Sequence, residues 1–238
     1  MSNYKTLLWV GGLLLGEACA SCASAQAVPA RCDDSLKATF HPDASTTVVY
    51  VKSFKKGETL KLDSAQMSQD ATGMRSFQLP TAGNDLCMVK LMVGPGNPGP
   101  ADAPSTSKGI GIEVWLPMPE NWNGRIHSIG GGGWVGGPAG SPAAIADMRP
   151  PIVAGTEGAV SSFTDGGHSG LNPGQPSSGG DFAMNPDGSV NQTLWKDLTV
   201  RSLHEQAIKT EALVQAFYGR RANFRYFDGA SQGGAAGL

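Results

Sequence analysis

The order of elements in the second half of the chain constrains its fold most. Residues 158–164 are apolar or small and predict a buried strand, residues 193–218 predict a helix, and residues 223–228 predict another strand. Thr193 is expected to cap the helix and Gly219 to end it. A strand–helix–strand order is typical of parallel strands that are joined by a crossover helix, so we expect an α/β fold.

An apolar repeat predicts which side of this helix faces the core. Apolar residues recur every three or four positions, as in a helix that packs one face on a sheet. Thr210 is the one polar break in the repeat. His204 lies beside the repeat, and we expect it to be a hydrogen-bonded packing residue. The predicted core stripe consists of Val200, Leu203, Ala207, Val214 and Phe217.

Upstream of this unit, short alternating segments predict further strands. Loops rich in Pro, Gly and Ala separate them at residues 94–109 and 136–151. Strands that come before any long helix favour hairpins, so we expect an antiparallel beginning of the sheet and a parallel continuation. The predicted strands cover residues 46–51, 86–93, 110–116 and 125–129.

The composition excludes one class of partner. The chain has 238 residues, of which 16% are charged, and a net charge of −2. Lys and Arg are scattered and form no basic stripe, so nucleic acid is not an expected partner.

The first 25 residues predict a secretory signal peptide. Lys5 provides the positive n-region, residues 6–15 form an apolar stretch too short to span a bilayer, and small residues at 24–27 suit cleavage near Ala25 or Ala27. A secreted or periplasmic protein without a membrane span after cleavage is therefore expected. The alternative is a buried N-terminal helix. Glu17 argues against a lipoprotein signal.

Cleavage of this signal leaves two cysteines, Cys32 and Cys87. Export implies an oxidising compartment, where two cysteines permit one intramolecular disulfide. We therefore expect a Cys32–Cys87 bond, with two unpaired thiols as the alternative.

A serine between glycines follows the last predicted strand. Residues 229–233 read Gly-Ala-Ser-Gln-Gly, the G-x-S-x-G pattern of a nucleophile elbow, where a sharp strand-to-helix turn exposes the serine hydroxyl. The pattern alone is weak, but the preceding strand and the small residues after it give the required context. The predicted nucleophile is Ser231, and the backbone N–H of Gln232 points toward the oxyanion.

A glycine run directly follows the predicted strand at 125–129. Acyl transfer needs a second backbone donor for the oxyanion, and a glycine loop after an earlier strand can provide it. A phosphate cradle is disfavoured because no Lys follows the run and the next residues are not helical. A plain flexible loop remains the alternative.

Four stretches, in this order, resemble the tannase and feruloyl esterase family of α/β-hydrolases. They are NWNGRIHSIGGGGWVGG, SFTDGGHSG, the helix end ALVQAFYG and YFDGASQGGAAGL. The resemblance covers residues 30–238 and implies that this segment is the N-terminal part of a hydrolase catalytic domain. It implies Ser231 as nucleophile and an oxyanion hole from Gln232 and one of Gly131, Gly132 and Gly133. The family's cysteine pair near the start also matches Cys32 and Cys87.

The resemblance has two departures. The family's Asp and His follow the serine in chain order, so we expect them, the lid domain and the C-terminal strands to lie outside this chain. The family's calcium site belongs to that lid, and no metal or cofactor is predicted here. Ala230 stands where the family elbow has a cysteine, so the usual disulfide at the elbow cannot form.

None of the four histidines is a strong substitute for the missing base. His168 is the most site-like, because it follows a strand end, where open α/β sheets bind ligands. A structural role in its loop is still favoured. His41 and His127 have no partner motif.

The expected function is a serine carboxylic-ester hydrolase. By resemblance, the substrate is a small aromatic acid ester (galloyl, feruloyl or terephthaloyl) cleaved through an acyl-enzyme. One alternative is a catalytically inactive fragment or a degenerate exported binding protein, and the 238-residue chain itself is expected to be nearly inactive. A carbohydrate-binding β-domain is disfavoured, because aromatics make up only 7% of the chain.

Overall fold

The structure is a computed structural model that describes residues 31–62, 79–99, 105–168 and 180–235. The predicted signal peptide lies outside the described residues.

Six strands form the sheet in these described ranges. They are β1 (Thr46–Phe54), β2 (Leu86–Val93), β3 (Ile110–Pro117), β4 (Arg125–Ile129), β5 (Ser161–Thr164) and β6 (Phe224–Asp228). The first four in spatial order are β1-β2-β3-β5, all antiparallel, while β4 and β6 pair in parallel. A parallel bridge between Ile126 and Val160 joins the two groups.

This bridge gives the spatial order β1-β2-β3-β5-β4-β6. His127 donates its N–H to the carbonyl of Val160 at 2.7 Å, and Val160 donates to Arg125 at 2.9 Å. The last three strands in that order are therefore parallel. The predicted antiparallel beginning and parallel continuation are confirmed, and β2 and β4 have the predicted bounds.

The helices are short except for one. They are α1 (Leu36–Thr39), α2 (Arg149–Glu157), α3 (Gln192–Lys196), α4 (Ser202–Tyr218) and α5 (Gln232–Ala235), with a π-helical segment at Asp197–Arg201 and 3-10 turns at Pro119–Asn121 and Gly180–Ala183. The helix α2 was not predicted, because its Pro-containing start falls in a segment that the composition indicates to be a loop. Prolines in a first helical turn are tolerated, since those N–H groups have no partner inside the helix.

The predicted long helix exists, but its start and continuity differ. Asn191 caps it, since the Asn191 side chain accepts the N–H of Leu194 at 3.2 Å, so Thr193 is not the cap. A π-helical turn then interrupts the helix between α3 and α4. The predicted end is confirmed: Gly219 adopts the left-handed conformation with φ of 70°.

The predicted core stripe is right for the second half of α4 and wrong for the first. Val214 and Phe217 are buried, whereas Val200 is 66% exposed and Ala207 is also exposed. Polar side chains take the buried positions instead. Gln206 donates to the Ser162 carbonyl within β5 at 2.9 Å and to the carbonyl of Ile129, the last residue of β4, at 3.3 Å. His204 is exposed rather than packed.

Both faces of the sheet's antiparallel half are covered. Alternate residues of β2 and β3, such as Val89 and Val114, pack with α1 and α4 in one apolar cluster. The opposite face carries Met88 and Trp115, which pack with Ala154 of α2 in a second cluster. The sheet therefore lies between two layers.

The predicted disulfide is present. Cys32 and Cys87 are bonded, and their Cα atoms lie 5.7 Å apart. The bond ties the segment before α1 to the buried strand β2.

Candidate functional site

Three loops meet at one edge of the sheet. Since β4, β5 and β6 are parallel, their carboxyl ends lie at the same edge. Residues 130–135, here called the glycine loop, follow β4; residues 165–168 follow β5; and residues 229–233, here called the elbow, follow β6. The sequence features predicted to act together therefore share one edge.

The elbow has the strained geometry of a sharp strand-to-helix turn. Ser231 has a φ of 55°, in the left-handed region that non-glycine residues seldom adopt. A Cβ on Gly229 would lie 2.5 Å from the Gly233 carbonyl carbon, so only glycine fits there. The Gly234 N–H donates to the Ser231 carbonyl at 3.1 Å and closes the turn into α5. Ser231 is exposed.

The elbow packs directly on the glycine loop. A Cβ on Gly233 would lie 2.8 Å from the Gly130 carbonyl carbon and still closer to the Gly131 carbonyl oxygen. Gly130 in turn donates its N–H to the carbonyl of Asp228, the last residue of β6, at 2.7 Å. The two parts of the predicted oxyanion hole are therefore neighbours.

The three candidate glycines differ in environment. Gly131 is buried, with Val135 and Phe163 beside it, whereas Gly132 and Gly133 are exposed and a Cβ on either would meet nothing within 4 Å. Gly133 has a φ of 56°. The loop thus turns out of the sheet edge toward solvent at Gly132 and Gly133.

His168 holds the end of the glycine loop. Its Nε2–H donates to the Trp134 carbonyl at 2.7 Å, and its ring stacks on Phe182 with centroids 3.7 Å apart. Because a carbonyl only accepts, this bond places the proton on Nε2. Burial lowers the pKa of His168, which favours the neutral ring. The favoured structural role of this histidine agrees with these contacts.

The other histidines are bonded to residues outside the elbow or are exposed. His127 bonds Glu157 at 3.0 Å, His41 bonds the Ala38 carbonyl at 3.1 Å, and His204 is exposed on α4. Among the residues that the structure describes, no side chain is hydrogen-bonded to the Ser231 hydroxyl.

Asp165 joins three segments at the same edge. The backbone N–H groups of Gly111, Gly167 and Gly140 all donate to its buried carboxyl group, the first two at 2.8 and 3.0 Å. Burial raises the pKa of Asp165 to about 7 in spite of these donors.

Arg149 attaches the start of α2 to the glycine loop. Its Nη2 donates to the Gly130 carbonyl at 3.2 Å and pairs with Asp147 at 2.8 Å. The Asp147 carboxylate raises the pKa of Arg149, which is charged at any physiological pH.

Two cavities lie near these loops. One of about 510 Å³ is lined by residues that include Ser107, Gly140 and Asp165. The other, of about 370 Å³, lies between α4 and β6, where His204 and Tyr226 line it. No group of three His, Cys, Asp or Glu side chains in the described ranges is placed to hold a metal ion. No described helix is long and apolar enough to cross a bilayer.

A sequence model of the family described as "Tannase and feruloyl esterase" matches residues 97–238. The chain belongs to this family. The match includes the glycine loop, α4 and the elbow.

Individual relatives agree with the family. The chain is 35% identical over 127 residues to a probable feruloyl esterase of Arthroderma benhamiae, covering 53% of the chain and 21% of the relative. It is 29% identical over 208 residues to feruloyl esterase C of Talaromyces stipitatus, covering 87% and 32%. A mono(2-hydroxyethyl) terephthalate hydrolase of Piscinibacter sakaiensis is 31% identical over 127 residues, covering 53% and 20%. The chain thus spans between a fifth and a third of these relatives.

Solved structures show the same fold. Feruloyl esterase B from Aspergillus oryzae superposes with a TM-score of 0.60 at 23% identity, covering 85% of this chain and 33% of the other. Tannin acyl hydrolase from Aspergillus niger gives a TM-score of 0.53 at 23% identity, covering 87% and 33%. The described residues therefore form a partial mixed sheet of the α/β-hydrolase type, in agreement with the predicted fold class.

The sequence reasoning missed the residues that hold the loops. Lys90, Glu113 and Asp165 are buried, and each bonds the backbone that follows the glycine loop. For two of them the sequence contained a signal, which is a single charged residue inside an apolar strand. These are Lys90 in LCMVKLMV and Glu113 in IGIEVWLP. Such a charge needs a partner when buried.

Proposed function

We propose that the protein is a serine carboxylic-ester hydrolase with Ser231 as its nucleophile. The observation that carries the proposal is the left-handed Ser231 at the tip of an elbow packed on a glycine loop. This combination lifts a hydroxyl out of the sheet beside backbone N–H groups. Acyl transfer requires both of these features, together with a base that takes the proton of the serine.

The proposed reaction has two steps. Ser231 Oγ attacks the ester carbonyl and loses its proton to a base, and the alcohol leaves to give an acyl-enzyme. Water then hydrolyses the acyl group and releases the acid. The N–H of Gln232 and that of one of Gly131, Gly132 and Gly133 would bind the oxyanion in both steps.

The base lies outside the described residues in this proposal. The family resemblance puts the Asp and His after the serine in chain order. His168 does not fit the role, because its Nε2–H is committed to the Trp134 carbonyl and burial lowers its pKa, which disfavours the protonated ring that a base becomes.

The proposed substrates are esters of small aromatic acids. This class rests on the names of the relatives, which include feruloyl esterases and a mono(2-hydroxyethyl) terephthalate hydrolase. The residues that select among galloyl, feruloyl and terephthaloyl groups are expected in the lid.

Export is part of the proposal. The Cys32–Cys87 bond suits an oxidising compartment, and residues 1–25 have the pattern of a secretory signal. Mass analysis of the exported protein should show a new N-terminus near residue 26 or 28. An intact N-terminus on the exported protein would contradict this.

A fluorophosphonate probe tests the nucleophile. The full-length protein should be labelled at Ser231, and Ser231→Ala should lose both labelling and hydrolysis of an aromatic ester. Removing a catalytic serine costs about 10⁴-fold or more in kcat. Full hydrolysis by a folded Ser231→Ala variant would reject Ser231. Failure of all tested aromatic esters with normal labelling would reject only the substrate class.

A further inference from the structure

The segment between the glycine loop and α2 has no helix or strand of its own. Residues 136–148 consist of turns and bends, yet they connect two parts of the candidate site. A segment of this kind needs partners for its backbone N–H and carbonyl groups. It lies on the sheet face that carries Lys90 of β2 and Glu113 of β3.

Lys90 and Glu113 form a fully buried ion pair. They are directly opposite each other in the β2–β3 ladder. The Lys90 Nζ lies 2.7 Å from the Glu113 Oε2, and neither side chain has any exposed surface.

All three N–H donors of the Lys90 ammonium have partners. Besides Glu113, they reach the Pro138 carbonyl at 2.8 Å and the Ala144 carbonyl at 2.5 Å. Lys90 therefore fixes the backbone of the 136–148 segment at two points.

Glu113 fixes a third point. Its Oε2 accepts the backbone N–H of Ala146 at 2.9 Å, and its Oε1 accepts the indole N–H of Trp115 at 2.7 Å. Because Trp115 belongs to the same strand, β3, its indole N–H fixes the orientation of the Glu113 carboxylate.

Asp165 adds contacts to the same segment from the end of β5. Its carboxyl accepts the N–H of Gly140, and its carbonyl accepts the N–H of Gly136 at 3.1 Å. Gly136 follows the glycine loop directly, so these contacts begin one residue beyond it.

Stability alone does not explain a buried ion pair. Desolvation offsets much of the Coulomb attraction, and apolar residues of similar volume at such positions are often as stable or more so. An apolar pair would, however, leave the carbonyls of Pro138 and Ala144 and the N–H of Ala146 without these partners, and of these contacts the segment would keep only those with Asp165 at its start.

We propose that Lys90 and Glu113 are positioning residues for the second oxyanion donor. They fix residues 136–148 on the sheet and thereby set the place of Gly131, Gly132 and Gly133 relative to Ser231. This inference rests on the proposed function of that site.

The double variant Lys90→Met/Glu113→Gln of the full-length protein tests the proposal. It removes both charges together, so no unpaired charge is buried, and the carbonyl of the introduced amide can still accept an N–H. We expect kcat per fluorophosphonate-titrated site to fall at least about tenfold, while KM changes less than about twofold. Loss of one oxyanion donor costs about 10²–10³ in kcat, and a displaced donor costs part of that.

Two further measurements separate positioning from mere folding. Affinity for an arylboronic acid, which forms a tetrahedral adduct on the serine, should fall with kcat. Leu36→Ala is the matched control: Leu36 is fully buried in the cluster on the opposite face of the sheet. It should lower the thermal midpoint and leave kcat per titrated site unchanged.

The outcomes are distinct. An unchanged kcat per titrated site in the folded double variant would overturn the inference and leave the nucleophile assignment intact. If the wild type itself is not labelled at Ser231, the proposed function fails and the inference falls with it. Should the double variant not fold, the single variant Glu113→Asp, which keeps both charges and shortens the reach of the carboxylate to the Ala146 N–H, is judged by the same ratio of kcat to KM effects.

Discussion

The two strands β3 and β6 are opposites in burial. All eight residues of β3 are buried, whereas all five residues of β6 are exposed within the described part of the chain. The strand that leads into the candidate nucleophile thus contributes least to the core. The core lies at one end of the sheet and the candidate chemistry at the other.

The position of each strand in the sheet explains the difference. β3 lies between β2 and β5 and has a layer on each face. In the described ranges β6 pairs with β4 alone, and Phe224 and Tyr226 are 56% and 49% exposed. Apart from the proposed positioning by Lys90 and Glu113, stability and activity should therefore respond to different substitutions, and the following predictions test that separation.

The largest expected difference in the free energy of unfolding is between alanine substitutions of a buried and of an exposed phenylalanine. Phe54 in β1 is 1% exposed and packs on Trp115 with ring centroids 5.3 Å apart. Phe54→Ala should lower the free energy of unfolding by about 3–5 kcal/mol, because it leaves a cavity. Phe224→Ala should lower it by about 0.5 kcal/mol or less. Urea unfolding of the 238-residue chain measures both.

The contrast between buried and exposed strands would be contradicted if Phe224→Ala lowered the free energy of unfolding as much as Phe54→Ala. That result would mean that β6 is covered, in the folded 238-residue chain, by a segment outside the described residues.

The disulfide should stabilise the buried end of the sheet. The Cys32–Cys87 bond closes a loop of 55 residues, which corresponds to about 4 kcal/mol in the chain-entropy picture. Cys32→Ala/Cys87→Ala should therefore lower the thermal midpoint strongly, while kcat of the protein that remains folded stays unchanged. A fall in kcat per titrated site would show that the two ends are coupled.

The contact between elbow and glycine loop should affect activity more than stability. A Cβ at Gly233 would meet the backbone of Gly130 and Gly131, which cannot move away as a flexible side chain could. We expect Gly233→Ala to lower kcat about 100-fold or more, because the oxyanion donors separate. Gly180→Ala is the control, since a Cβ there meets only Trp134 at ordinary contact distance, 3.8 Å. Equal kcat values for the two variants would contradict the prediction.

The smallest expected effect, taken per pH unit, concerns Asp165, which follows β5. Burial raises the pKa of Asp165 from 3.8 to about 7, so between about pH 4 and pH 7 the folded state binds a proton that the unfolded state has lost. Stability should therefore fall as pH rises through this window, by at most about 1.4 kcal/mol per pH unit.

Asp165→Asn cannot titrate and should flatten this slope. Urea midpoints of the wild type and the variant at pH 5 and pH 7 give the comparison. If the urea midpoints of the wild type and the variant changed equally between pH 5 and pH 7, Asp165 would be charged over this whole range in the folded state. Its three backbone donors alone would favour that charged form.

Much of the fold was predictable because it depends on local patterns. The bounds of β2 and β4 and the end of α4 at Gly219 follow from apolar runs and from a glycine that tolerates positive φ. The helix α2 was missed, because its first turn contains two prolines. In the sequence such prolines indicate a loop, and only the structure shows that the residues after them are helical. The first half of the core stripe was wrong, because the hydrogen bonds of Gln206 to carbonyls of β4 and β5 decide which side of α4 is buried.

The candidate site was predictable in part for a similar reason. The serine between glycines and the glycine run are local features, and the parallel strands bring them together. The assignment of Ser231, Gln232 and the glycines as site residues stays a prediction. The pairing of Lys90 with Glu113 and the attachment of residues 136–148 join positions distant in sequence, so no local pattern contains them.

The sequence by itself determined the strands, the long helix and the elbow, because each depends on residue type and spacing over a short stretch. It also predicted the disulfide, because two cysteines remain after the predicted signal peptide. Only the tertiary structure decided that the elbow packs on the glycine loop and that buried charges hold the segment behind it. The physical reason is that buried polar groups must find partners, and the chain's path through the fold determines which partners are within reach.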